Sequence, residues 1–443
     1  MAFINYKFYL DYITEKYNYS NKHYKLLLVD GTPIFEYLMT YEGMNVYPAY
    51  PLPIVMPIPK NHNIFDLIKI SNLNNYKFPN NIELLNIQTF ESILNDKIRE
   101  FKKTSEDYEK TSVRFKVKSY NKNIDSAVRK YFSYEIIDRI KELTKTQNVT
   151  NAYVKMYELL VTFKFNASAD INIFHICEHP GGFVLATDDY IKKTHPDKKA
   201  NYTIQSLNPT NDKRIFKPFD ELISRFGKNI DYGTKKTGDI TDPDNINYYI
   251  DTYGNKTFDL ITSDCGWDCS EDYTTQEAKL MPIYFGTLIT TIGLSNENTV
   301  CFFKCFSFNS LKMIELLYLC SAIYHKVNIV RLLTDKSGSG EHYIVMEKLK
   351  INNDDKKKLV KILLDYYKNY DNSLLFDNFD LDFLSKISEY TKLTILRRIT
   401  NYNSLIFRLN NIDYTDKSDD IKEYVRKFVY YYVDYYIKYL SLN

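Results

Sequence analysis

The chain has 443 residues, with 58 Lys and Arg against 56 Asp and Glu, and 44% of its residues are hydrophobic. Those are globular proportions, so most of the chain can bury a core, and the length suits two or three domains. A net charge of +2 excludes a chain-wide pull on nucleic acid and leaves only local basic surface for that role.

Met1 to Lys7 lacks the basic-then-apolar layout of a secretory signal. No uninterrupted apolar run reaches the roughly 18 residues that a membrane helix needs. Cys177, Cys265, Cys269, Cys301, Cys305 and Cys320 all lie in the middle of the chain. That distribution suits reduced thiols better than a disulfide scaffold, so the expectation is a cytoplasmic protein with no membrane partner. Cys301 and Cys305 share one face of an apolar strand and read as core, not as a zinc pair.

In chain order, Tyr24 to Leu28 reads as a short strand turned by Gly31-Thr32-Pro33. The run Tyr47 to Pro59 holds prolines too densely for a helix and favours an extended segment lying along a surface. From Ile87 to Thr146 the apolar residues recur at helical spacing. The polar side of that region carries Lys97, Arg99, Lys102, Lys103, Arg114, Lys116, Lys118, Lys122, Arg129 and Lys130, with Glu and Asp interspersed. Such a face is solvated or it tracks an RNA backbone.

Asn151 to Leu160 forms an amphipathic helix ahead of the first core strand, Ile171 to Cys177. That strand runs into Glu178-His179-Pro180-Gly181-Gly182-Phe183 and a helix opening at Val184. Strand, glycine turn and helix N-terminus make a nucleotide-cradling corner, or else a plain turn between core elements. A second strand, Asn201 to Pro209, ends near Asn208, a candidate for the ribose of a bound nucleotide. Gly238 to Asp242 closes a third strand, Phe258 to Asp268 holds a fourth and Thr299 to Phe306 a fifth. After a helix from Leu311 to His325 comes a strand from Val327 to Leu332. Ser337-Gly338-Ser339-Gly340 then turns back into Glu341 to Met346, which predicts an antiparallel edge strand. Alternating strands and helices over 171–348 argue for one α/β domain. Beyond Lys348 three helices are predicted, and the last, Ile421 to Leu442, carries a tyrosine stripe that reads as a docking face.

A lysine inside a buried strand is costly unless it is paired or functional, which singles out Lys304. Strand ends converge where ligands bind in a doubly wound sheet. Asp264, Glu341 and Lys155 are placed to meet it there.

At these residues the sequence resembles the FtsJ/RrmJ-like RNA ribose 2′-O-methyltransferases. The resemblance covers about residues 150–348. It is carried by Lys155 within Ala152 to Leu159, by Cys177 to Phe183, by Gly238 to Asp242, by Ser263 to Asp268, by Phe302 to Phe306 and by Ser337 to Val345. The Cys-Glu-x-Pro-Gly-Gly-Phe form is similar to that of mRNA cap methyltransferases of eukaryotes and large DNA viruses. His179 stands where a small residue is usual, and Cys265-Gly266-Trp267 replaces the usual loop after the acid.

The resemblance implies a Rossmann-like domain over 148–350, between an accessory region at 1–147 and a helical extension at 351–443. It implies S-adenosyl-L-methionine as cofactor, no metal, and a catalytic tetrad of Lys155, Asp264, Lys304 and Glu341. Cys177, Glu178, Pro180, Gly181, Gly182, Phe183, Asn208, Asp239 and Asp264 would line the cofactor site, with Asp239 on adenine. Lys304 would act as base, its pKa expected to fall through burial and through Lys155. The implied activity is methylation of an RNA ribose, most of all at the capped 5′ end of mRNA (cap-1 type), with capping or transcription subunits as partners. An rRNA or tRNA enzyme and a catalytically silent RNA-binding or scaffold subunit are the alternatives.

Overall fold

The structure, a computed structural model, describes residues 53–59, 63–76, 84–115, 124–167, 170–209, 215–267, 269, 272–332, 334–335, 338–410, 433 and 436–442. The strand expected at Tyr24 to Leu28 lies outside them, as does most of the helix expected from Ile421.

The described elements begin with β1 (Ile54–Val55) and β2 (Ser71–Asn72), followed by the long helices α1 (Leu84–Phe115) and α2 (Ile124–Thr144). The α/β region then runs α3 (Asn151–Thr162), β3 (Ile171–Ile176), α4 (Gly182–Thr194), β4 (Ala200–Gln205), α5 (Asp220–Phe226), β5 (Ile230–Asp231) and α6 (Pro243–Tyr253). It continues with β6 (Leu260–Ser263), α7 (Gln276–Leu294), β7 (Val300–Phe306), α8 (Leu311–Ile323), β8 (Tyr324–Val330) and β9 (Glu341–Leu349). α9 (Asn353–Tyr367), β10 (Ser373–Leu374) and α10 (Leu381–Asn410) complete it.

Helix starts follow local chemistry. The Thr150 hydroxyl accepts from Tyr153 N at 3.2 Å to open α3, and Ser310 does the same for Met313 N at 3.1 Å to open α8. Asp242 caps α6, with Pro243 in the first turn where its missing N–H costs nothing. β3 and β6 are buried along nearly their whole length because helices cover both faces of the sheet. One core cluster gathers α6, α7, α8 and α9 on one face. The other gathers α3 and α4 on the opposite face.

The main sheet has eight strands in the order β1-β8-β9-β7-β6-β3-β4-β5. β5, β4, β3, β6 and β7 are parallel. β9 is antiparallel, as the Gly338 to Gly340 turn predicts, but it is not the edge. It pairs β7 on one side and β8 on the other. The edge falls to β1, within the proline-rich run, which pairs β8 through Ile54↔Ile329 and extends along the sheet as Met56 N donates to Val327 O. The third strand also differs from expectation. It is Ile230–Asp231, and Gly238 to Asp242 is a loop feeding α6. Two residues are too few to show strand periodicity.

The flanking regions are tied to this domain by side chains. Asn309, just past β7, donates to Glu91 on α1 at 3.0 Å. α1 and α10 pack along each other, with the rings of Phe101 and Tyr402 5.5 Å apart. From the C-terminal stripe, the Tyr436 hydroxyl donates to Glu158 at 2.6 Å and Tyr439 lies 2.6 Å from Thr162 Oγ1, so this face docks on α3. On α1, Lys97 pairs with Glu100 and Arg99 with Asp96, in keeping with a solvated face. The side chains of Arg114, Lys116, Lys118, Lys122, Arg129 and Lys130 lie outside the described residues. Among the described residues no helix is long and apolar enough to cross a membrane.

Candidate active site

Because β6 and β7 run parallel and β9 runs against them, their carboxyl ends and the first residue of β9 fall at one end of the sheet. Asp264 follows β6, Lys304 lies near the end of β7, and Glu341 opens β9 opposite Phe306. α3 brings Lys155 across that end. The four form two ion pairs: Lys304 Nζ to Asp264 Oδ1 at 2.8 Å, and Lys155 Nζ to Glu341 Oε1 at 2.6 Å. The Tyr343 hydroxyl donates to Glu341 Oε1 at 2.9 Å and steadies that carboxylate.

A fifth charge, not apparent in the sequence, completes the group. Asp335 is fully buried, and its Oδ1 lies 3.1 Å from Lys155 Nζ. Its Oδ2 accepts from Leu332 N at 2.9 Å. No spacing pattern marks Asp335, because it stands in the irregular connection between β8 and β9.

The charges separate the two lysines. Burial pulls Lys155 down, but Glu341 and then Asp335 outweigh it and hold its pKa above the ordinary lysine value. Burial also acts against the charge on Lys304, and Lys155 adds to that effect. Asp264 and Glu341 prevail, so Lys304 too is raised. The sequence-based expectation of a lowered Lys304 is therefore corrected: its two depressing influences are present, and the carboxylates exceed them. Burial acts to raise Glu341, and Lys155 and Lys304 overcome it to bring its pKa well below the carboxylate range. Burial raises Asp264, with Lys304 opposing.

The glycine corner lies beside this group at the ends of β3 and β4. Gly181 has φ +126°, a conformation open to glycine, and a Cβ there would meet Leu222. Gly182 starts α4, where a Cβ would press on Thr150 and Ala152. The two glycines thus shape the turn and let α3 and α4 close together. Pro180 and Phe183 flank them, and Phe183 is buried under Tyr343, with ring centroids 6.4 Å apart. His179 packs against Tyr232 at 5.8 Å between ring centroids, and neither ring nitrogen has a hydrogen-bond partner.

Glu178 is buried, its Oε1 accepting from Val184 N at 2.9 Å and its Oε2, 3.8 Å from His175 Nδ1, without a hydrogen bond. Burial raises its pKa strongly. Cys177 has φ +60°, and its N donates to Gln205 Oε1 at 3.0 Å. Gln205, unmarked in the sequence, also donates to Gly238 O at 2.6 Å and so gathers three rim segments. Gly238 sits so close that a Cβ would fall 1.7 Å from Ser206 O. Asp239 Oδ1 accepts from Thr241 N at 2.8 Å in a turn that leaves Oδ2 outside it. Asn208 Nδ2 is spent on Lys236 O at 2.9 Å, holding the loop.

The carboxyl ends of parallel strands, with acids at their rim, a buried carboxylate oxygen without a hydrogen bond and a helix N-terminus, offer the chemistry that a cationic nucleoside with an amino-acid tail requires. Acids suit its ammonium and sulfonium, and the helix N-terminus suits its carboxylate. The fold is a doubly wound α/β domain with this group of charges and the glycine corner at one end of its sheet.

Residues 148–349 match the FtsJ-like methyltransferase family model. The chain is 27% identical over 240 residues to the cap-specific mRNA (nucleoside-2′-O-)-methyltransferase 2 of Danio rerio, a match covering 52% of this chain and 32% of that protein. It is 27% identical over 235 residues to a probable methyltransferase of African swine fever virus, covering 47% of this chain and 53% of that one. A solved putative ribosomal RNA methyltransferase from Plasmodium falciparum aligns with 45% of this chain and 97% of its own, at 16% identity and a TM-score of 0.32. The matched segment thus spans about a third of the curated Danio rerio relative. Residues 148–349 are thus similar to FtsJ-like, S-adenosylmethionine-dependent methyltransferases.

Proposed function

We propose that this chain methylates the 2′-hydroxyl of an RNA ribose, at the first transcribed nucleotide of capped mRNA. The observation that carries the reaction type is the pairing of Lys304 with Asp264 and of Lys155 with Glu341 at one end of the sheet, beside the glycine corner. The likeness to the cap-specific methyltransferase of Danio rerio supports the choice of RNA.

The glycine corner, Asp239 and Asp264 hold the cofactor. When bound, S-adenosylmethionine supplies a methyl group on a sulfonium, which leaves as a neutral thioether. This chain's residues supply positioning and proton transfer. The ribose hydroxyl is a weak nucleophile, and Lys304 Nζ, as the free amine, accepts its proton as the oxygen attacks. Asp264 aims that nitrogen. Lys155, held protonated by Glu341 and Asp335, opposes the proton on Lys304 and lowers its cost of release. Fixing hydroxyl, base and methyl donor in line supplies several kcal/mol of the barrier.

The test is transfer of radiolabelled methyl to paired short RNAs, one bearing an N7-methylguanosine cap and one a 5′ triphosphate, with Lys304→Ala beside the wild type. Label confined to the capped RNA, and lost in the variant while cofactor binding persists, is the expected result. Equal label on both RNAs discards the cap assignment, and full activity in the variant discards the base.

A further inference from the structure

Asp264 is followed by Cys265, Gly266 and the only tryptophan of the chain, Trp267. Cys265 is 0% exposed and Cys269 3%, yet Trp267 between them is 48% exposed. The chain is thus anchored at Cys265, just before the tryptophan. Cys265 Sγ lies 3.1 Å from both Ser263 Oγ and Thr287 Oγ1. An indole is the largest apolar side chain, and here it is half exposed to solvent. Its place is specific: a Cβ built on Gly266 would lie 3.8 Å from Lys304 Nζ, so the residue before Trp267 borders the base.

A ribose whose 2′-hydroxyl reaches Lys304 carries its nucleobase one carbon away, on C1′. The base must therefore settle within a few ångströms of the hydroxyl, among the groups that border Lys304 on the solvent side. We propose that Trp267 is the platform on which the base of the methylated nucleotide stacks, a specificity-determining contact that rests on the RNA reading above. Every base has a π-face, so the contact selects an unpaired, splayed nucleotide rather than a particular letter. A protein partner is less well matched, since Trp267 is flanked in the chain by Gly266 and Asp268 and not by further apolar residues.

With one tryptophan in the chain, emission reports this contact directly. The full chain is titrated with an eight-nucleotide RNA bearing an N7-methylguanosine cap, and with the same RNA made abasic at the first transcribed nucleotide. Affinity is measured independently from the anisotropy of a 3′ label. Expected are saturable quenching of the wild type by the intact RNA and weaker quenching by the abasic one. Trp267→Ala should bind the intact RNA on the order of 5- to 150-fold less tightly, the range for loss of one stacked base. Trp267→Phe should lose less, cofactor affinity should not change, and the abasic RNA should bind wild type and Trp267→Ala alike.

RNA binding and methylation with unaltered emission and equal affinities would sink the platform and leave the enzyme reading standing. Additive losses from Trp267→Ala and the abasic site would assign the base to another surface. A wild-type protein that neither binds nor methylates either RNA removes the RNA reading, and the platform with it.

Discussion

Asp335 Oδ1 lies 3.1 Å from Lys155 Nζ in a position without solvent contact, so Lys155 has two carboxylate partners where Lys304 has one hydrogen-bonded partner. The asymmetry is in keeping with the proposed roles, in which the doubly paired Lys155 stays a cation and the singly paired Lys304 is the base.

Asp335→Asn keeps the shape and removes one charge. Glu341 remains, so the stability loss at neutral pH should be about 1–3 kcal/mol, less than for a buried pair stripped of its partner. Lys155 is raised in the folded state, so its contribution is fully present below its unfolded value of about 10.4 and is lost as pH rises through the folded value. Without Asp335 that folded value falls. Thermal melts between pH 9 and 12 should show the alkaline decline beginning near the same pH in both proteins and ending at lower pH, with a smaller total loss, in the variant. An unchanged alkaline limb would mean that Asp335 does not hold the lysine proton.

Arg398 reaches the site from α10, beyond the 148–349 match. Its Nε donates to Gly338 O at 3.1 Å, and the Tyr402 hydroxyl reaches the same carbonyl at 3.3 Å. Gly338 lies three residues ahead of Glu341, and Gly340 O accepts from Ser307 N at 2.8 Å. Arg398 is a positioning residue for this turn. Arg398→Ala should lower kcat on the order of tenfold, the scale of a lost hydrogen bond of about 1–1.5 kcal/mol, with KM for RNA and cofactor affinity little changed.

Glu341 helps to keep the proton on Lys304. Loosening the turn should therefore move the rising limb of the pH–rate profile to lower pH even as the plateau falls. Arg398→Lys, which keeps a donor, should recover part of both. A fall in rate with an unmoved profile and no recovery in Arg398→Lys would reduce Arg398 to a packing residue.

Much of the site was legible because its chemistry sits at strand ends. Lys304 in an apolar strand, Asp264 before a glycine and Glu341 after a glycine-rich turn mark themselves, and a doubly wound sheet brings such ends together. Lateral strand order is another matter. A tight turn announces an antiparallel strand, but nothing local tells that β9 inserts between β7 and β8 while Ile54–Val55 takes the edge. Asp335 and Arg398 escaped because they act through long-range packing: Asp335 stands in the irregular connection between β8 and β9, and Arg398 lies on a helix beyond the stretch that carries the motifs. The net direction of the Lys304 shift escaped for a different reason. It is a balance of opposed influences whose sign depends on distances, such as the 2.8 Å to Asp264, that residue types do not encode.

His175 provides the pH test of the core. It is fully buried on β3, with Nδ1 2.6 Å from Thr262 Oγ1 and its ring stacked on Tyr202 at 6.1 Å between centroids. Burial lowers its pKa to about 3. In the unfolded chain a histidine takes up its proton near pH 6.5, so between there and about 3 the unfolded state binds the extra proton and the folded state does not. Stability must then fall as pH falls, by up to ~1.4 kcal/mol per pH unit from this residue. His175→Gln, which retains a polar group toward Thr262 and cannot titrate, should start less stable at pH 7 and lose stability less steeply from pH 6 to pH 4. Denaturant midpoints at each half-unit would measure both slopes. Parallel slopes would show that His175 accepts its proton without leaving the fold and that the acid sensitivity comes from other groups.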